Sequence, residues 1–215
     1  GWHRPYVHVF KGRGPVLDVG CGLGLFADVL RDEGVSSVGI DFDPDMVKAS
    51  EDRGHAAILG DETSLKTMKE RFRGIHLSHV IEHLWGEEVV LLLDCCWTLL
   101  EDTGRLVIRS PNWERKEVRH RIFWMDHTHK RPYGIPVITK ILGDIGFKIL
   151  SAGFEPYNYN DLFVVAARNP RPEDLGLRPK FGKSPFPRQS LRSRIPEPVK
   201  EILRKVRKSF QGRDQ

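Results

Sequence analysis

Residues 16–24 read VLDVGCGLG. Pro15 to Gly20 has the short apolar character of a buried strand, and Leu23, Phe26, Ala27 and Leu30 then recur with helical period through Arg31. Gly20, Gly22 and Gly24 occupy the turn between the two, where glycine lets the backbone bend tightly and pass close to a ligand. Their G-x-G-x-G spacing is one residue short of the dinucleotide fingerprint. Asp41 closes the next apolar run, Ser37 to Asp41, where a carboxylate reaches both hydroxyls of a ribose.

Working outward, strand and helix signals alternate five times. After the helix at 44–52, with Pro44 in its first turn, come a strand at 55–59, a weaker helix at 62–70 and a strand at 75–80. A strongly apolar helix at 87–101 ends at Thr103-Gly104, and a strand at 105–110 stops at Pro111. Such alternation predicts an open parallel sheet with helices on both faces. A helix at 135–144 and strands at 147–152 and 161–167 complete an α/β domain over residues 1–169. Seven prolines between 170 and 198 then mark a tail, 170–215, that ends in an amphipathic stretch, Pro198 to Phe210.

Composition is that of a soluble globular protein, with 40% apolar and 29% charged residues. No apolar run is long enough to span a bilayer, and Gly1-Trp2-His3-Arg4 lacks the apolar region of a signal peptide. Cys21, Cys95 and Cys96 form neither a disulfide framework nor a zinc knuckle, so a reducing, cytoplasmic setting is expected. The net charge is +5, but residues 171–215 hold thirteen Lys/Arg against five Asp/Glu. The basic character belongs to the tail and carries no argument for nucleic-acid binding by the domain.

The motif series resembles class I S-adenosylmethionine-dependent methyltransferases over residues 14–168. Asp18 to Gly24 is similar to their first motif and Gly39 to Pro44 to their second. Ser78 to Leu84 matches their fourth strand and Gly104 to Ile108 their fifth. The resemblance implies a Rossmann-like, mostly parallel seven-stranded sheet and S-adenosylmethionine as cofactor, with S-adenosylhomocysteine as product. It implies a cofactor site of Asp18, Gly20, Gly22, Gly24, Asp41, Phe42, Asp61, Glu62 and Ser78. Gly20 and Gly22 would pass beneath the methionine part, Asp41 would bind the ribose, Phe42 would lie on the adenine, and Asp61 would accept from its amino group. The competing explanations are a turn carboxylate for Asp18, core packing for Phe42 and a helix cap for Asp61.

His79, Glu82 and His83 also spell H-x-x-E-H, the order of inverted zinc proteases. That geometry needs a long helix, whereas Ser78 and His79 end a strand. A second metal reading comes from small-RNA 3′-terminal 2′-O-methyltransferases, which resemble this chain at Glu82 and His83 and hold a divalent ion with a later histidine. His127 or His129 would be that histidine, but His79 replaces a glutamate, and the residues are read without a metal.

The run Ser110-Pro111-Asn112, then Asp126 to Pro132, resembles methyltransferases of bacterial surface-polysaccharide (O-antigen) synthesis, from which His127 departs. The resemblance implies O-methylation of a saccharide or glycan hydroxyl, or of a sugar phosphate. Aligning the acceptor is the main task, and a base near neutral pKa assists a hydroxyl. Histidine supplies that base. His129 or His83 is the expected base, Asp126 orients an imidazole and His79 lines the methyl site; the alternative is that these residues pin a loop. The basic tail would contact an anionic inner-membrane surface or a glycosyltransferase, or fold back on the domain. The other readings kept open are the RNA 2′-O-methyltransferase and an inactive cofactor-binding partner subunit.

Overall fold

The computed structural model describes residues 3–61, 63–157 and 159–181. One seven-stranded sheet forms the centre: β1 (Val16–Val19), β2 (Ser37–Asp41), β3 (Ala56–Leu59), β4 (Phe72–Ser78), β5 (Leu100–Pro111), β6 (Lys148–Phe154) and β7 (Asp161–Ala167). The strand order is β3-β2-β1-β4-β5-β7-β6, parallel except for β7, which runs antiparallel to both neighbours. Strand order reverses between β1 and β4, and the crevice beyond their carboxyl ends is where open α/β sheets bind ligands.

Side-chain alternation along the strands builds two cores. Leu17, Ile75, Leu77, Leu106 and Ile108 face α4 (Gly86–Leu99) and α5 (Ile135–Ile145). Val16, Val107 and Val165 face α1 (Arg4–Val7) and α2 (Leu25–Asp32), with Tyr6, Phe26 and Leu30 packed on them. In α4, Val89, Leu92, Leu93 and Cys96 recur at the i, i+3, i+4, i+7 spacing of one buried face. Glu88 starts that helix by accepting the Trp85 backbone N–H at 2.6 Å. Asp43 caps α3 (Pro44–Asp52) by accepting from Asp45 N at 2.9 Å.

Three expectations from sequence need correction. The helix at 62–70 is only a 3-10 turn, Ser64–Thr67, because Leu65 alone is buried and the surrounding polar, β-branched residues favour a capped turn. The helix expected to reach 101 stops at Leu99, and β5 starts at once at Leu100, with Thr103 at a left-handed φ of 63°. Residues 170–181 do not begin a separate tail. Asp174 is fully buried between Arg13 and Arg105, and Lys180 N donates to Pro5 O at 2.9 Å. The amphipathic stretch Pro198 to Phe210 lies outside the described residues. Among the described residues no helix is long and apolar enough to cross a membrane.

Candidate functional site

The turn after β1 holds Gly20 at φ 69° and Gly22 at φ 50°. L side chains avoid that backbone region. Gly20 N and Cys21 N donate to Ile40 O at 2.8 and 3.2 Å, tying the turn to the end of β2. Asp41 completes the tie: its Oδ2 accepts from Gly22 N at 2.8 Å and its Oδ1 from Asp43 N at 3.0 Å. A cavity of about 560 Å³ opens above this turn, with Gly20, Asp41, Phe42, Asp61, His79 and His83 in its wall. Phe42 is 78% exposed, which removes core packing as its explanation. Asp61 lines the cavity and is also the cap anticipated as its alternative role. Its Oδ1 accepts from Thr63 Oγ1 at 2.7 Å and from Thr63 N and Ser64 N at 3.0 Å, and the Thr63 bond leads in holding its pKa down at about 2.

A second cavity of about 240 Å³ shares Gly20 and His79 with the first and is bordered by Asp18, Gly22, Ser78 and Arg109. Asp18 and His76 stand opposite each other on β1 and β4, with His76 Nδ1 2.7 Å from Asp18 Oδ1. His76 Nε2 and His3 Nδ1 are buried there without a hydrogen-bond partner. Burial, followed by His76 and Arg109, pushes His3 down to a pKa of about 3, so its ring is neutral. Gly24 borders neither cavity: a Cβ there would lie 2.7 Å from Ser50 Oγ and 2.9 Å from His55 Cδ2, so this glycine serves the packing of α2 on α3. Glu62 lies outside the described residues.

His79 follows the last residue of β4 at a left-handed φ of 57°. Its Nδ1 is 2.9 Å from Glu82 Oε1 and its Nε2 3.5 Å from Asp161 Oδ1. Burial opposes a charge on this ring, but Glu82 and Asp161 outweigh it and raise the pKa. Behind Asp161, Arg109 donates to Asp161 Oδ2 at 2.6 Å and to Glu155 Oε1 at 2.5 Å, and Tyr6 Oη donates to the same Glu155 oxygen at 2.5 Å. Sequence patterning missed this network. Arg109 inside an apolar strand and Asp161 at the head of another were the available signals, since buried charges need partners.

Beyond the larger cavity, Thr128 Oγ1 donates to Asp126 Oδ1 at 2.6 Å and therefore accepts from His83 Nδ1 at 2.8 Å. His129 Nδ1 donates to Phe123 O at 2.7 Å. Asp126 thus orients His83 through Thr128, while its other oxygen is 3.8 Å from His129 Nε2. Neither Asp126 nor His129 lines the cofactor cavity. One ligand atom from each of Glu82, His83 and His129 lies within 4.8 Å of the others, whereas His127 is exposed and takes no part. Of the residues weighed as metal ligands, Glu82, His83 and His129 thus come together, and His79 is not among them.

Residues 5–152 match the protein family described as "Methyltransferase domain". The chain belongs to that family. The methyltransferase is similar to the ubiquinone biosynthesis O-methyltransferases of Rattus norvegicus, 32% identical over 111 residues, and Xylella fastidiosa, 30% identical over 104. Each aligned stretch covers 45% of this chain but only 30% and 42% of the relatives, so the match spans less than half of either relative. Among solved structures, a SAM-dependent methyltransferase from Archaeoglobus fulgidus superposes with a TM-score of 0.72 at 27% identity, covering 77% of this chain and 90% of the other. A magnesium protoporphyrin IX methyltransferase from Synechocystis with bound S-adenosylhomocysteine shares the fold, with a TM-score of 0.60 at 21% identity over 77% of this chain and 83% of the other.

The methyltransferase is of the S-adenosylmethionine-dependent kind, with the Rossmann-like fold that the motif order implies. Its two neighbouring cavities, which share Gly20 and His79, are lined by residues that suit that cofactor. Asp41, the residue expected at the ribose, borders the larger one. The smaller one leaves the buried His76 Nε2 and His3 Nδ1 without a hydrogen-bond partner, so polar atoms are available there to a ligand.

Proposed function

We propose that the protein transfers a methyl group from S-adenosylmethionine to a hydroxyl oxygen. The observation that carries this reading is His83: it lines the cofactor cavity, and with its Nδ1 committed to Thr128, Nε2 is the ring nitrogen left with a lone pair. The sulfonium supplies a methyl carbon with a neutral thioether as leaving group. The chain's own residues then have two tasks, to hold acceptor oxygen and methyl carbon in line and to receive the hydroxyl proton as the C–O bond forms and the C–S bond breaks. Gly20 and His79, common to both cavities, mark where the methyl would be presented. His79 faces carboxylates at both ring nitrogens, which favour its charged form, whereas His83, in the cavity wall, offers the nitrogen not committed to Thr128 to the proton. Asp126 acts one step back, as the residue that orients His83.

The acceptor we propose is a saccharide or glycan hydroxyl, supported by the similarity of residues 110–112 and 126–132 to surface-polysaccharide methyltransferases. A second acceptor class is favoured by the names of the relatives, which act in ubiquinone biosynthesis. Incubating the protein with S-adenosylmethionine and a panel of glycans, sugar phosphates, ubiquinone precursors and short RNA, with S-adenosylhomocysteine as the readout, tests both. Turnover on glycans alone supports the first acceptor, and turnover on ubiquinone precursors alone replaces it with the second. Turnover on RNA alone overturns both acceptor classes, and no turnover on any hydroxyl acceptor while cofactor binding persists overturns O-methyl transfer.

A further inference from the structure

We propose that the protein carries a second binding site, for the phosphate or diphosphate group of a small molecule, at the end of the sheet opposite the cofactor cavities. A cavity of about 450 Å³ lies there, bordered by Lys11, Arg13, Arg73 and Arg171 together with Glu101 and Asp102. Its remaining lining is Gly12, Thr103 and Gly104, so among the described residues no apolar side chain borders it. Strand β4 measures the separation from the methyl-transfer site. Arg73 near its start borders this cavity and Ser78 at its end borders the smaller cofactor cavity, five residues or about 16 Å away.

The wall holds more positive charge than its buried carboxylate compensates. Asp174 Oδ1 accepts from Arg105 Nη2 and also from Arg13 Nη2, the latter at 3.2 Å, while its Oδ2 accepts from Arg171 N at 3.1 Å. One fully buried carboxylate therefore serves two guanidiniums. Burial, followed by the nearby Arg105, lowers the Arg13 pKa, and an anion reaching Arg13 from the cavity would favour its charged form. Thr103 also fixes this guanidinium. It holds a left-handed φ of 63°, a costly conformation for a β-branched residue, and its carbonyl accepts from Arg13 Nη1 at 2.9 Å. Arg13 has five N–H donors, and these contacts use two of them.

The other three cations can be redirected to a ligand at small cost. Lys11 pairs with Glu33 at 3.5 Å, Arg73 with Glu101 at 3.1 Å and Arg171 with Glu173 at 3.7 Å, all with solvent-accessible side chains. Exposed pairs of this kind contribute little stability. Asp102, the other carboxylate of the wall, pairs with Arg168 at 3.6 Å. The cations come from three separate segments, before β1, on β4 and after β7, so their donors approach an occupant from different sides. A phosphate suits that arrangement better than a planar carboxylate, since it carries a charge of about −1.5 to −2 near neutral pH and oxygens in several directions. The cavity has room for a diphosphate.

The test is calorimetric titration of the 215-residue chain with sodium pyrophosphate at constant ionic strength, with S-adenosylhomocysteine saturating the cofactor cavities. The expected result is saturable binding of one pyrophosphate per chain, with melting raised by about 5–10 °C at ligand a hundredfold above its Kd. Lys11→Gln and Arg73→Gln, at exposed positions where folding is not at stake, should each weaken binding about tenfold. The double variant should lose the melting shift while its S-adenosylmethionine affinity stays unchanged. Binding or stabilisation of equal size in the wild type and the double variant would overturn the site, because the cations of residues 182–215 and any general salt effect are common to both. Absence of both heat and a melting shift would overturn it as well. ADP that binds at least as tightly as pyrophosphate, with the same loss in both variants, supports the diphosphate group as the part recognised. ADP binding without pyrophosphate binding would overturn that assignment.

Discussion

Gly20→Ala separates the two reasons for a glycine in the cofactor turn. Gly20 has a left-handed φ of 69°. There an L residue costs about 1–2 kcal/mol relative to glycine. The new Cβ would also lie 2.6 Å from Val80 Cγ2, well inside contact distance. Such overpacking adds about 1–3 kcal/mol. The expected destabilisation is therefore about 2–5 kcal/mol, or a melting temperature lower by about 5–15 °C for a domain of this size. Gly22→Ala is the matched control: its φ is a similar 50°, but nothing lies within 4 Å of its Cβ. Only the conformational cost of about 1–2 kcal/mol then applies. Adding Val80→Ala to the Gly20 variant should recover part of the loss, because it removes the overlap and leaves the φ cost. Thermal and urea melts of the four proteins measure stability, and calorimetry with S-adenosylmethionine measures the cavity floor. Affinity should fall at least tenfold in Gly20→Ala, because Gly20 borders both cavities. Equal stability of the two alanine variants, or no recovery in the double variant, would refute this account of the turn.

Three other outcomes are expected. Asp41→Asn places an amide N–H against Gly22 N or Asp43 N, both donors. It should weaken S-adenosylmethionine binding about tenfold or more, a loss of about 1.4 kcal/mol or greater by calorimetry. Phe42→Ala should leave the melting temperature unchanged, since the ring is 78% exposed and supports no core. Its cofactor affinity should fall about three- to tenfold, through lost contact with the adenine. Asp174→Asn should cost about 3 kcal/mol at pH 7 by leaving Arg105 and Arg13 without their buried carboxylate. Burial works against charge on Asp174, but Arg105 outweighs it and holds the carboxyl below its usual range. A depressed folded-state pKa stabilises above the unfolded value of about 3.9, and the contribution is lost as pH falls through the folded value. Urea melts should therefore show the full gap between the two proteins at pH 6–7 and a shrinking gap as the pH is lowered from about 4; a constant gap would contradict the assignment.

The strands, their mostly parallel sheet and the cofactor turn were legible in the sequence because they depend on local patterns, whereas the order of the strands came from the structure. Val16 to Val19 is apolar enough to be a central strand, and three glycines follow where the chain must turn; Asp41 ends the next strand one register position beyond Ile40. Boundaries were less legible. Thr103-Gly104 looks like a helix end, yet the pairing of Phe72 with Leu100 extends β5 past it. Residues 170–181 look like a linker, and only the burial of Asp174 against Arg13 and Arg105 shows that they belong to the domain.

Within the site, motif order alone pointed to Asp18, Gly20, Gly22, Asp41, Phe42, Asp61 and Ser78, all of which border the cavities. Gly24 shares the same motif but faces α3, because a spacing pattern does not say which side of a turn a residue packs on. The order of His79, Glu82 and His83 was plain in sequence, whereas their division of labour was not. A left-handed backbone and two carboxylates fix His79 where the two cavities share their wall and raise its pKa. The clamp of Lys130 and Arg131 on Glu82 O delivers His129, and not His127, to the other two. Sequence therefore determined the fold and the floor of the site, where neighbouring residues act through local geometry. Which histidines meet was decided by tertiary structure, since side chains 46 positions apart converge only when a loop is anchored by hydrogen bonds that no local pattern encodes.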